Sequence, residues 1–216
     1  MRFLRLMLAA AALMLSTAGV HAADPKNGVD YKTLDTPVRN DTGKKVEVIE
    51  FFMYSCPHCN VLEPMMAEWV KKQGDKIVFR RVHFASGGSN DAQAHAYLTL
   101  EAMGKLEGVH TKIFNAIHGQ RNRMNTDAAL TELIVANGVD RAKYMEFFNS
   151  FAVLTKLKRS VQLPAMYKVD SAPTIVVDGR FVTSPAMVGR PGQNELQSHQ
   201  SVLQVMDYLV AQSAKK

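Results

Sequence analysis

The chain has 216 residues, of which 26 are lysine or arginine, 20 are aspartate or glutamate and two are cysteine. A hydrophobic content of 47% is that of an ordinary globular protein with a core. The formal charge of +6 is scattered, with no run of five or six like charges, which argues against nucleic-acid binding. Two cysteines in so long a chain exclude a small domain held together by disulfides.

Residues 1–22 have the pattern of a secretory signal peptide. Arg2 and Arg5 precede an apolar run over residues 6–15, and the small residues that follow predict cleavage after Ala22. The alternative is a membrane anchor, but an apolar run of roughly ten to thirteen residues is shorter than the ~20 that span a bilayer. We therefore predict an exported, soluble mature protein whose charge falls from +6 to +4 with the loss of the two arginines.

Strand and helix patterns follow in the first part of the mature chain. Residues 31–38 are compatible with an edge strand, because Pro37 discourages a central one. Residues 46–53, VEVIEFFM, are almost all β-branched, aromatic or apolar and predict a strand buried on both faces. After the cysteine pair, helical spacing of apolar residues predicts a helix over residues 57–73, and residues 77–84 predict a second buried strand.

The second half begins with a block of helical patterns. From residue 91 to residue 167 almost every segment has helical period. Thr126 is placed to cap one helix that ends at Asn137-Gly138, and residues 141–148 and 151–167 predict two more.

Strands return after this block. Residues 174–177 and 181–183 predict two strands joined by a turn at Asp178-Gly179, and a last helix is predicted from about Asn194. This order describes one α/β domain interrupted by an all-helical insertion. We predict boundaries at residues 23–88 for the first part of the α/β domain, 89–165 for the insertion and 166–216 for the second part, with hinges near residues 86–90 and 163–171.

The two cysteines form a Cys-Pro-His-Cys motif at the junction of a buried strand and a helix. Unpaired backbone amides and the helix dipole at that position stabilise a thiolate on Cys56, and a protonated His58 would add positive charge. A pair whose reduced form is stabilised gives its disulfide away readily, so the motif favours a donor of disulfides.

Two other interpretations of the pair are weaker. Zinc would need two further ligands, and no second Cys/His pair occurs at a suitable spacing. A purely structural disulfide would close too small a loop to restrain the unfolded chain much.

The motifs VIEFFMYSCPHC and SAPTIVVDG, the helical block between them and the early YKTLDTPV stretch resemble the DsbA family, the thioredoxin-fold oxidants of the bacterial periplasm. The resemblance covers essentially the whole mature chain and implies a thioredoxin fold with an inserted all-helical domain. Cys-Pro-His-Cys is the motif typical of that family. DsbA proteins are themselves a well-known example of a depressed cysteine pKa and an oxidising pair.

The resemblance implies roles for individual residues. Cys56 would be the exposed nucleophile, Cys59 the buried resolving thiol, and Pro57-His58 the pair that tunes Cys56. Pro173 would be a cis-proline facing the active site, which predicts a substrate-binding segment at Ala172, Pro173 and Thr174, where an extended substrate adds as a strand. From the sequence alone, Pro173 is only a proline in a turn or at a strand start.

Glu50 interrupts an otherwise apolar strand. It is either an acid at a partly wet sheet edge or, as the family suggests, a buried carboxylate beneath Cys59 that relays protons. The family often pairs this acid with a base on the next strand, but the register within residues 79–83 leaves the partner open. His83 is expected to be a surface or hydrogen-bonded histidine.

The predicted function is that of a thiol:disulfide oxidoreductase donating the Cys56–Cys59 disulfide to newly exported proteins with free cysteines. The resemblance implies a periplasmic monomer that needs no prosthetic cofactor and no metal and is reoxidised by a quinone-linked membrane oxidase of DsbB type. The alternatives are a periplasmic disulfide isomerase or reductase, and a chaperone or binding module without redox turnover.

Overall fold

The computed structural model describes residues 24–215, so the predicted signal peptide and its cleavage site lie outside the described residues. One sheet of five strands lies at the centre of this part, in the order β1-β5-β4-β2-β3. The strands are β1 (Lys32–Thr33), β2 (Val46–Phe52), β3 (Ile77–His83), β4 (Thr174–Val177) and β5 (Phe181–Thr183). Only β2 and β3 run parallel, and the other neighbours are antiparallel.

The helices fall into two groups according to their position in the chain. Those that accompany the strands are α1 (Pro57–Gln73), α8 (Pro185–Val188) and α9 (Glu195–Ser213). Those of the insertion between β3 and β4 are α2 (Ala92–Ala102), α3 (Leu106–Phe114), α4 (Asp127–Ala136), α5 (Arg141–Phe148), α6 (Phe151–Ser160) and α7 (Leu163–Met166). The predicted α/β fold with an all-helical insertion is therefore confirmed, while the exact domain boundaries stay a prediction.

Alternation along β2 divides the core between the two faces of the sheet. Val46 and Val48 pack with α1 and α9 on one face, through residues such as Trp69 and Met206. Ile49 and Phe51 pack on the other face against the segment that follows α7. All seven residues of β2 are buried, as the unbroken apolar pattern predicted.

The carboxyl end of β2 joins this core to the insertion. Phe52, Tyr54 and both cysteines belong to one apolar cluster with residues of α2, α3 and α4. Helix α2 is buried along eight consecutive residues and forms the centre of the insertion. The cysteine motif therefore lies where the two parts of the molecule meet.

Three predictions of the elements need correction. Strand β1 is an edge strand as predicted, but it covers only Lys32–Thr33. Strand β3 is not buried throughout, because it lies at the other edge of the sheet and exposes Val78. The single helix predicted over residues 151–167 is two helices, since Pro164 has no amide hydrogen to continue α6.

Helix α8 is absent from the sequence-based prediction. Ser184 caps it by accepting a hydrogen bond from the amide of Met187, and Pro185 is its first residue. A Ser-Pro pair is a signal for a helix start, but four residues are too few to give the apolar periodicity by which helices are predicted. No helix in residues 24–215 is long and apolar enough to cross a membrane.

Candidate active site

Cys56 caps the amino terminus of α1. Its sulfur accepts a hydrogen bond from the amide of Cys59, 3.3 Å away, and its own amide donates to the carbonyl of Met53. The buried strand β2 ends at Phe52, so four residues carry the chain from the sheet to the helix start. The predicted placement of the first cysteine at a strand-to-helix junction is confirmed.

The pKa values of the two cysteine thiols are shifted in opposite directions. The pKa of Cys56 is lowered to about 6, mainly because the Cys59 thiol donates a hydrogen bond to it, with help from backbone amides and the charge of His58. The pKa of Cys59 is raised far above its usual range by the same hydrogen bond, by burial and by the charge on Cys56. At neutral pH the reduced pair is therefore a thiolate at Cys56 and a thiol at Cys59.

Cys56 is less open to solvent than the resemblance implied. Its exposed fraction is 7%, against 0% for Cys59. The carbonyl oxygen of Ala172 lies 3.4 Å from its sulfur, so the loop before β4 covers part of it. The expected order of exposure holds, but Cys56 itself is a largely buried residue.

The loop that covers Cys56 contains a cis peptide bond between Ala172 and Pro173. Pro173 and Thr174 are buried, and the Thr174 hydroxyl donates to the carbonyl of Ser171 at 2.8 Å. The structure thus brings the predicted segment 172–174 next to the redox pair, with Ala172 as the residue in contact with Cys56.

A groove of about 450 Å³ opens beside this loop. Its lining includes His58, Pro173, residues of α8 and the start of α9 with Glu195 and His199. An extended segment of another protein lying in this groove would pass close to Cys56.

His58 and Pro57 lie on the exposed side of the motif. Pro57 is the first residue of α1, and the His58 ring is 64% exposed. The Nδ1 atom of His58 lies 2.5 Å from Oε1 of Glu195, and this hydrogen bond raises the pKa of His58. Sequence reasoning missed Glu195, because it follows His58 by 137 positions along the chain.

Glu50 is buried in the sheet with only 1% of its surface exposed, so the alternative of a wet sheet edge is wrong. The register of the parallel strands β2 and β3 identifies its basic partner, because Glu50 lies opposite Arg81. Arg81 Nε donates to Glu50 Oε2 at 3.0 Å. Burial nevertheless raises the pKa of Glu50 to about 7, against the lowering effect of Arg81, and the negative charge of Glu63, which also binds Arg81, adds to the rise.

Glu63 and His110 extend this buried group and were not predicted. Arg81 donates to both oxygens of Glu63, and His110 Nε2 lies 3.3 Å from that carboxylate. Burial lowers the pKa of His110, so the group holds two acids against one guanidinium. Glu63 could have been found, because it shares a helical stripe with Cys59, Leu62 and Met66, all buried.

Tyr54 is held by three histidines. Its amide donates to His83 Nε2 at 3.3 Å, its carbonyl accepts from His118 Nε2 at 2.8 Å, and its hydroxyl lies 2.8 Å from His110 Nδ1. His83 is 3% exposed, and burial lowers its pKa to about 4, so it is a hydrogen-bonded core histidine and not a surface one. These contacts fix the segment that leads from β2 into the cysteine motif.

Within the described part of the chain, no group of three or more histidine, cysteine or acidic side chains is arranged to hold a metal ion. The polar groups around the cysteines are instead bonded to each other and to backbone amides. This arrangement suits thiol chemistry: it stabilises a thiolate at Cys56, and Glu50, whose pKa is about 7, acts on the buried Cys59.

Known proteins resemble this chain over nearly its whole length. A family model described as a DSBA-like thioredoxin domain matches residues 47–200. A thiol:disulfide interchange protein DsbA from Bordetella parapertussis is 37% identical over 97% of this chain and 96% of its own length, and one from Burkholderia cepacia is 37% identical over 100% and 98%. The crystal structure of Pseudomonas aeruginosa DsbA superposes with a TM-score of 0.79 at 31% identity, covering 89% of this chain and 97% of that one. With its cysteine pair at the start of α1 and its helical insertion, the chain belongs to the DsbA family, and the predicted thioredoxin fold is confirmed.

Proposed function

We propose that this protein is a thiol:disulfide oxidoreductase that donates its Cys56–Cys59 disulfide to proteins folding after export. The observation that carries the proposal is the split acidity of the pair, with the Cys56 pKa lowered to about 6 and the Cys59 pKa raised. A stabilised thiolate makes Cys56 a good leaving group and favours the reduced enzyme as the product.

The reaction consists of two exchanges. A substrate thiolate attacks the Cys56 sulfur, the Cys56–Cys59 bond breaks, and its electron pair leaves with Cys59, which takes up a proton. A second substrate thiolate then attacks the substrate sulfur of the mixed disulfide, and Cys56 leaves as the thiolate. The substrate loses two electrons in forming its disulfide, and the enzyme gains the same two.

Glu50 supplies a proton site for the first exchange. Its pKa of about 7 means that it both binds and releases a proton at neutral pH, and its charge acts on Cys59. A protonated Glu50 next to the departing Cys59 sulfur avoids two adjacent buried negative charges. Glu50 is therefore a relay acid for the resolving thiol.

The segment Ala172, Pro173 and Thr174 receives the substrate. Ala172 contacts the Cys56 sulfur and lines the groove with Pro173 and His58. Backbone groups recognise an extended chain with little demand on its sequence, which suits an enzyme that acts on many exported proteins.

The same proposal includes the location, the processing and the reoxidation of the protein. The chain is exported to the periplasm, loses its first 22 residues by cleavage after Ala22, and works as a monomer. Reduced enzyme is returned to the disulfide form by a quinone-linked membrane oxidase of DsbB type, which removes the two electrons gained from the substrate.

Equilibration with glutathione buffers tests the direction of the reaction. We expect the wild-type pair to be mostly reduced at a ratio of reduced to oxidised glutathione at which thioredoxin would be oxidised. A pair as reducing as that of thioredoxin would overturn the proposal and favour the isomerase or reductase.

Replacement of the nucleophile tests whether thiol chemistry is needed at all. Cys56→Ser should abolish the oxidation of a reduced model substrate while the protein stays folded. A variant that kept its full effect on substrate folding would instead identify a chaperone or binding module.

A further inference from the structure

Glu195 is joined to the redox motif by a contact that the proposed mechanism has not used. It is the first residue of α9, and its Oε1 lies 2.5 Å from His58 Nδ1. Asn194 and Gln197 close a capping box around it, each accepting a hydrogen bond from the backbone amide of the other at 2.9 and 2.8 Å. The carboxylate therefore stands on a fixed helix start.

Few other charged groups face His58 from the elements around it. The Cys56 sulfur acts on it from the motif itself, and its charge adds to the effect of Glu195 in raising the pKa of His58. His199, one turn further along α9, lies 3.9 Å from the same Glu195 oxygen, but it is 1% exposed and burial lowers its pKa. Arg190 lines the same groove and is hydrogen-bonded to Asp30.

The consequence for His58 is a larger share of its positively charged form. A histidine with a carboxylate at hydrogen-bond distance is held in one orientation and favours its imidazolium form. The charge of His58 is one of the causes that lower the pKa of Cys56. Glu195 thus acts on the sulfur through the histidine between the two cysteines.

We propose that Glu195 is a positioning residue for disulfide exchange, holding the His58 imidazolium beside the Cys56 sulfur. The inference rests on the proposed function. In the second exchange, the bond between Cys56 and the substrate sulfur breaks and Cys56 leaves with the electron pair. The imidazolium stabilises that charge, so Glu195 strengthens the protein as an oxidant from a helix far along the chain.

A double-mutant cycle tests this assignment. The wild type, Glu195→Gln, His58→Leu and the double variant are equilibrated with glutathione at neutral pH, and His58 is titrated by NMR. We expect Glu195→Gln to move the His58 midpoint to lower pH and to weaken the oxidant about three- to tenfold in equilibrium constant. The His58→Leu protein should be weakened as well, and adding Glu195→Gln to it should change nothing further.

Two more variants separate the proposed role from a general effect of charge or folding. Glu107→Gln removes another first-turn acid, from α3 in the insertion, and should leave both readouts unchanged. Glu195→Asp keeps the negative charge at the start of α9 and should give a His58 midpoint between those of the wild type and Glu195→Gln.

An unchanged His58 midpoint in Glu195→Gln would overturn the inference. So would an equal loss of oxidising strength in the His58→Leu background, since the carboxylate would then not act through the histidine. Failure of the proposed function would be seen differently, as a wild-type protein that equilibrates like a reductant.

Discussion

At the scale of single residues, the two cysteines show how far surroundings alone can separate the same chemical group. Cys56 lies over the open end of a helix and beside an imidazole, whereas Cys59 lies one turn inside and is fully buried. A hydrogen bond between them lowers the pKa of Cys56 and raises that of Cys59. Each group therefore makes the other more suitable for its step, one as leaving thiolate and the other as proton acceptor.

Glu50 is expected to make stability fall as pH rises. Its pKa is about 7 in the folded protein against 4.5 for an ordinary glutamate, so the folded state binds the extra proton between these values. The stability from that proton is present below about pH 4.5 and lost as pH rises through about 7. Denaturant unfolding should show the wild type losing about 2 kcal/mol relative to Glu50→Gln between about pH 5 and about pH 8.

Glu68→Gln is the matched control, because Glu68 is an exposed acid on α1. Its difference from the wild type should stay constant across the same pH range. His83, whose lowered pKa gives a slope of the opposite sign at acid pH, is present in all three proteins and cancels in the comparison. A pH-independent difference between wild type and Glu50→Gln would contradict the raised pKa.

At the scale of elements, local patterns predicted what local forces decide. The apolar run of β2, the helical stripe of α1, the cap at Thr126 and the start of the last helix near Asn194 are predicted correctly, because each depends on neighbours along the chain. The break before α7 was missed, although Pro164 signals it.

The partners of the site depend on tertiary contacts instead. Glu195 comes from the last helix, and Arg81 is identified only by the strand register. His110 comes from the insertion, and nothing in its local sequence marks it as a partner of Tyr54. These contacts depend on how helices and strands pack against each other, and sequence periodicity gives no information about that packing.

Tyr54 follows directly from the predicted strand β2 but is held by tertiary contacts. It is hydrogen-bonded to His83 in β3 and to two histidines of the insertion. We predict that Tyr54→Phe destabilises the protein by about 1–3 kcal/mol, because it leaves the buried His110 Nδ1 without its partner. Denaturant unfolding of the reduced protein measures this loss. The ring and the backbone contacts remain, so the cysteine motif should keep its redox equilibrium.

Tyr208→Phe provides the comparison, because the Tyr208 ring is only half-buried and water can replace its partners. Its effect should stay within about 0.5 kcal/mol. Equal losses for the two variants would show that the Tyr54 hydroxyl is not specially required. A shifted redox equilibrium in Tyr54→Phe would show instead that the hydrogen bond between Tyr54 and His110 also affects the redox potential of the cysteine pair.

At the scale of the whole molecule, the insertion and the sheet share one core around the redox motif. The cluster that contains Phe52, Tyr54 and both cysteines also contains buried residues of α2, α3 and α4. A change in the charge of the motif therefore changes the free energy of unfolding of the whole molecule and not only the stability of a surface loop. Redox state and stability must be linked, since both depend on the same sulfur.

The reduced protein should consequently be more stable than the protein with the Cys56–Cys59 disulfide. The Cys56 pKa is depressed to about 6 from 9.0, so the thiolate adds stability that is fully present above about pH 9 and lost as pH falls through about 6. This contribution is about 1 kcal/mol at neutral pH. The disulfide offers little in return, because the loop it closes is small.

Guanidinium unfolding of both redox forms across a pH series measures the difference. We expect the reduced form to be favoured by about 1 kcal/mol or more at neutral pH, with the advantage growing towards pH 9 and shrinking as pH falls to about 6, where Cys56 becomes protonated in the folded protein. Reduced Cys56→Ser has no such thiolate and should lose this pH dependence. If the disulfide form proved equally stable or more stable at neutral pH, the thiolate would not favour reduction, and a protein of this kind could not drive disulfides into its substrates.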